Sequence, residues 1–149
     1  MSEKETRQTV VKALRRLDAH SVENRVGIGT PDLTYAFGWI ELKCLDKWPV
    51  RPATPVALPH DFTKEQRIWA RRRWAAGGEV YLLLQAEHEY LLFDGPMAAD
   101  LIGKATKAEL RASALLIWGR KAVEQDLAGF LWARAKSRMA LSPNAWVTE

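Results

Sequence analysis

Gly29-Thr30-Pro31-Asp32, followed nine residues beyond the aspartate by Glu41-Leu42-Lys43, is the stretch from which the rest of this chain is read. Gly27, Gly29 and Pro31 suit neither helix nor strand, so a loop is expected up to Asp32. Asp32 to Phe37 and Trp39 to Cys44 then read as two strands, with Gly38 marking a tight antiparallel turn between them. Side chains two apart on a strand share a face. Glu41 and Lys43 should therefore project together toward Asp32, with Leu42 turned into the core. Two carboxylates converging on one point suit a hard cation such as Mg²⁺, and a lysine beside them can orient a water or meet developing negative charge. Metal-assisted phosphodiester hydrolysis uses those parts.

Outward from this stretch, Ser2-x-x-Glu5 can close a capping box, and Val10, Val11, Leu14 and Leu17 recur at helical spacing, which predicts a helix to about Ala19. Ser21 to Val26 alternates as a short strand. Four prolines between Asp46 and Asp61 predict a long ordered loop of the kind that often covers a site. Thr63-x-x-Gln66 starts a second helix and Gly77-Gly78 stops it. Val80 to Gln85 should be a buried strand, paired with Glu89 to Phe93 through Glu87-His88. Beyond Gly95 the pattern is helical: a short helix at Met97 to Ile102, one from Thr106 to about Trp118, and an amphipathic helix carrying Val123, Leu127, Phe130 and Leu131. The expected architecture is α/β, with a core over residues 1–95 and a C-terminal helical extension of the same domain over 96–149.

The bulk numbers fit one soluble globular domain: 149 residues, 48% hydrophobic and 27% charged. No run approaches the roughly 20 apolar residues of a membrane helix. The charged N-terminus lacks a signal-peptide pattern, and the single cysteine, Cys44, cannot form an internal disulfide. A cytoplasmic location is expected. The net charge of +4 is a mild excess, but Lys64, Arg67, Arg71, Arg72 and Arg73 crowd one helix, and Arg134, Lys136 and Arg138 another. Each has a plain reading as solvated helix surface and a second as a phosphate-facing patch.

The ordered set Glu23-Asn24, Gly27-x-Gly29-x-Pro31-Asp32, Gly38-Trp39-Ile40-Glu41-Leu42-Lys43, Trp48-Pro49, Thr63-x-x-Gln66-x-x-Trp69 and Gly77-Gly78 resembles the PD-(D/E)xK nuclease superfamily. It is similar to small phage-encoded members, to the VRR-NUC branch and to Holliday junction resolvases, over roughly residues 20 to 95. The resemblance implies a restriction-endonuclease-like core, a central mixed sheet of four to five strands flanked by helices. It implies that Asp32 and Glu41 bind Mg²⁺ (Mn²⁺ as a substitute) with the Leu42 carbonyl as a further ligand. Lys43 would place the attacking water or stabilise the pentavalent transition state. Glu23 would complete the acidic set, with Glu5 as its rival, and Gln66 would stand beside the scissile phosphate or simply close its capping box.

Lys64, Arg67, Arg71 and Trp48 are the candidates for contact with nucleic acid. His20, His60 and His88 lack zinc spacing. The seven tryptophans read mainly as packing. With no added module to read bases in the major groove, recognition by backbone and shape is expected. That favours a structure-selective endonuclease on branched DNA, acting as a homodimer, with no membrane and no identified protein partner. The rivals are a nuclease or nickase of little preference and a non-catalytic nucleic-acid-binding assembly protein.

Overall fold

The computed structural model describes residues 2–22 and 29–141. The fold is α/β: one six-stranded mixed sheet with helices on both faces. Helix α1 (Glu3–Ala13) is closed by the expected box, Ser2 Oγ accepting from the Glu5 N–H and the Glu5 carboxylate accepting from Ser2 N–H. A 3₁₀ turn at Arg15–Leu17 leads to β1 (His20–Ser21), which pairs with β2 (Leu33–Tyr35). The expected strand to Val26 otherwise lies outside the described residues. Strand β2 pairs antiparallel with β3 (Gly38–Leu45), so the turn is Ala36-Phe37 and Gly38 opens the next strand.

A long segment and α2 (Lys64–Ala75) then carry the chain to β4 (Glu79–Ala86), which runs parallel to β3 with Gly38 opposite Glu79. Thr63 and Gln66 close the second capping box as expected. Strand β5 (Glu89–Asp94) returns antiparallel, and α3 (Gly95–Leu101) and α4 (Lys107–Ser113) follow. Here the sequence reading needs correction. The helix begun at Thr106 stops at Ser113, and Leu116–Gly119 forms β6, antiparallel to β5, before α5 (Arg120–Leu141). A short apolar run such as Leu115-Leu116-Ile117-Trp118 does not distinguish helix from strand by itself. The open edge of β5 does, because its unmet backbone groups need a partner. The sheet therefore has six strands rather than four or five, and the segment after residue 95 supplies one of them.

Every residue of β4 is buried, as expected for a strand covered on both faces. Ile40, Leu42, Tyr81 and Leu83 enter one core with Val10 and Leu14 of α1 and with Val123, Leu127 and Leu131 of α5. Val80, Leu82 and Leu84 enter the other with Trp69 and Ala70 of α2 and with Ala98 and Ile102. Leu42 thus faces α1 and α5, while its neighbours Glu41 and Lys43 face α2. The proline-rich segment crosses that α2 side as a strap, held by a bridge between Pro55 and Thr106 and by the burial of Val56 and Phe62. No described helix is long and apolar enough to cross a membrane.

Candidate active site

The ladder between β2 and β3 ends at the pair Leu33 and Ile40. From Glu41 onward, that edge of β3 has no strand beside it among the described residues. Asp32 fills the place: its Oδ2 accepts the Leu42 N–H at 2.9 Å. The aspartate is therefore not only a turn residue after proline, since its carboxylate fastens to the strand ten residues on. A strand residue directs its N–H and C=O to the same edge, so the Leu42 carbonyl emerges beside Asp32.

Glu41 and Lys43 lie on a buried face, 5% and 7% exposed. This overturns the plain reading of a solvated surface ion pair. Lys43 Nζ stands 3.6 Å from Glu41 Oε1 and donates to the Asp61 carbonyl at 3.0 Å, at the end of the strap. Gln66 closes its capping box and also reaches Glu41. Its Oε1 accepts the Thr63 N–H to complete the cap, which turns Nε2 toward Glu41 Oε1 at 3.2 Å. Gly29 makes this closeness possible. A Cβ there would sit 2.5 Å from the Glu65 carbonyl oxygen, and its φ of +86° favours glycine. The loop into Asp32 can thus lie against the first turn of α2.

Burial first, then the charge of Asp32 and a hydrogen bond with it, push the Glu41 carboxyl up to about 9, with Lys43 opposing. Raised so far, the Glu41 carboxyl keeps its proton at neutral pH, and a divalent cation could replace that proton. Among the described residues no cluster of three or more His, Cys, Asp or Glu could hold a metal. Two carboxylates and a backbone carbonyl are what these residues offer, and that set fits Mg²⁺, which keeps several waters and takes substrate phosphate oxygens. Glu23 lies outside the described residues. Its rival Glu5 does not reach the site, because its exposed carboxylate is bonded to Ser2, which holds its pKa below the usual range.

Arg7 is a residue the sequence reading missed. From α1 it brings Nη2 to 3.7 Å from Asp32 Oδ1. The only cue in the sequence is its place beside the buried stripe of Thr6 and Val10, and nothing local ties it to an aspartate 25 residues later.

Three of the proposed nucleic-acid contacts need revision. Trp48 is buried in the α2-side core with the Lys107 ammonium 5.3 Å above its ring, so it offers no open face for stacking. Arg67 points inward, donating to the carbonyls of Phe62 (2.9 Å), Ala99 (2.7 Å) and Ile102 (2.6 Å). Arg71 is half exposed but paired with Asp100 at 2.5 Å. Lys64 remains on the exposed surface of α2. Arg134 pairs with Asp94 and Arg138 with Glu79, so much of the basic charge fastens the fold.

Arg67 ties the end of the strap to the C-terminus of α3, and three carbonyls depend on it. Arg67→Ala should cost about 3 kcal/mol, since bonds from a charged donor are lost and their acceptors left unmet. Arg67→Lys should recover little, because an ammonium cannot span three carbonyls held in a planar fork. A fall in the urea midpoint at constant m-value checks both.

Comparison of the chain with protein-family models, with curated proteins and with solved structures finds no match.

Proposed function

We propose that this chain is a Mg²⁺-dependent endodeoxyribonuclease with a restriction-endonuclease-like core of PD-(D/E)xK type, hydrolysing DNA phosphodiester bonds. The observation that supports it best is the Asp32 and Glu41 pair. A carboxyl group only 5% exposed, Glu41, set beside the charge of Asp32, destabilises the empty fold. A binding module gains nothing from acids that repel phosphate, whereas a cation site requires them.

In this reading Asp32, Glu41 and the Leu42 carbonyl hold the cation, and Gln66 fixes the orientation of Glu41. When bound, the cation supplies Lewis-acid stabilisation of charge on the phosphoryl oxygens and favours ionisation of a water. Lys43 is held by the Asp61 carbonyl, which leaves further N–H donors to place the attacking water or to meet charge on the phosphate. Lys64 and other exposed cations would track the DNA backbone, with recognition by shape. We extend the proposal to branched DNA as the preferred substrate, a homodimer as the acting form and the cytoplasm as its place, of the phage host where the chain is phage-encoded.

Purified protein tested on linear duplex, single-stranded, supercoiled and four-way-junction DNA, with Mg²⁺, with Mn²⁺ and with EDTA, decides this. Metal-dependent cleavage is expected, and Lys43→Ala should slow it about 10²- to 10³-fold without loss of circular-dichroism signal. A wild-type protein that cuts nothing under any of these conditions sinks the nuclease reading and leaves the non-catalytic binding protein. Equal cutting of all substrates would retain the chemistry and replace structure selectivity by general nicking.

A further inference from the structure

We infer that Arg7 is the phosphate anchor of this site, a guanidinium that grips non-bridging oxygens of the DNA backbone beside the bond to be cut. The inference rests on the nuclease reading above and adds a substrate-binding residue that the sequence pattern does not contain.

Helix α1 packs on the face of β3 opposite α2, where Cys44 Sγ lies 3.4 Å from Thr6 Oγ1. The next residue, Arg7, lies on the far side of β3 from α2, and its guanidinium ends beside Asp32. Its contacts there are loose. Nη2 is 3.7 Å from Asp32 Oδ1 and 3.5 Å from Glu3 Oε1, and Nε is buried without a partner among the described residues. None of its five donors makes a short bond to either acid. Two of the arginines that fasten this fold look different: Arg67 places three donors at 2.6–2.9 Å, and Arg138 lies 2.8 Å from Glu79, whereas Arg134, 3.8 Å from Asp94, is held as loosely as Arg7. Among the described residues Arg7 is held in position with one donor engaged, at 3.5 Å to Glu3.

Charge supports the same conclusion. The Asp32 carboxylate repels an approaching phosphodiester, and Lys43 is buried with its Nζ bonded to Asp61. The Arg7 side chain is 38% exposed, and so can be approached from solvent. A planar fork matches two phosphate oxygens, which a lysine at the same place would meet only as a point charge. In this arrangement the phosphate is gripped from the α1 side while the acids and Lys43 act from the α2 side.

The test uses the full chain and duplex DNA. Fluorescence anisotropy over a salt series in EDTA measures backbone contacts apart from metal and catalysis, and single-turnover cleavage in saturating Mg²⁺ measures their use. Arg7→Gln should lower the log–log salt slope by about 1 and slow cleavage about 10²-fold, with partial recovery in Arg7→Lys. Arg15→Gln, which removes an exposed cation from the 3₁₀ turn, should change neither. An unchanged slope in Arg7→Gln overturns the inference, as does an equal fall in Arg15→Gln. So does full recovery of cleavage at high Mg²⁺ with the slope intact, which would leave Arg7 acting on Asp32 alone. A wild type that never cuts defeats the nuclease reading instead, while the slope still decides whether Arg7 meets phosphate.

Discussion

Asp32→Asn should slow DNA cleavage by about 10³-fold or more while improving the metal-free protein's relative stability at alkaline pH. The asparagine oxygen can still accept the Leu42 N–H, so the strand edge remains closed. What disappears is one cation ligand, together with the charge and the hydrogen bond that are the second and third causes of the raised Glu41 pKa. In the wild type, Glu41 titrates near 4.5 unfolded and about 9 folded. A group raised on folding contributes stability that is fully present below its unfolded pKa and lost as pH climbs through the folded one. The wild type should therefore lose stability from this group between about pH 4.5 and pH 9, and the variant should lose less. The difference in melting temperature, variant minus wild type, is expected to rise by several degrees from pH 5 to pH 9. Saturating Mg²⁺ should raise the wild-type melting temperature and narrow that gap. A gap that stays constant with pH would show that the acids are not coupled as the geometry requires.

Gly38→Ala should cost about 3 kcal/mol, because the added methyl has nowhere to go. A Cβ at Gly38 would lie 2.1 Å from the Glu79 carbonyl oxygen and 2.7 Å from the Glu79 Cβ. Neither obstacle is the free end of a flexible chain. The parallel strands β3 and β4 would have to part where their pairing begins, and Glu79 is itself held by Tyr81 and Arg138. For a domain of this size the melting temperature should fall by about 10 °C. Gly119→Ala is the comparison: a Cβ there meets nothing within 4 Å, and its effect should stay within about 0.5 kcal/mol. Urea unfolding of both variants measures the difference.

Gly38 also shows how the sequence reading works and where it stops. A glycine between two alternating runs marks a reversal, and the reversal is there. The tight turn is Ala36-Phe37, however, and the glycine is required by a carbonyl from a strand that begins 41 residues later. Capping boxes at Ser2, Thr63 and Thr106 were legible because each is closed within four residues. Strand β6 was not, because four apolar residues take their conformation from the edge they meet. Arg67 and Trp48 were misjudged for the same reason: a cation or an indole is compatible with surface or interior until its neighbours are known.

The sequence by itself determined the parts of the candidate site and their order: Asp32 at the entry to β2, Glu41 and Lys43 on one side of β3, and Gln66 in the first turn of α2. Periodicity and caps act over a few residues and can be read along the chain. Only the tertiary structure decided that Glu41 is buried beside Asp32, that the Asp61 carbonyl holds Lys43, that Arg67 is a fastener and that Arg7 arrives from the opposite face. Those depend on desolvation and distance between residues far apart in sequence, and both are fixed only when the sheet and its two helical layers have closed.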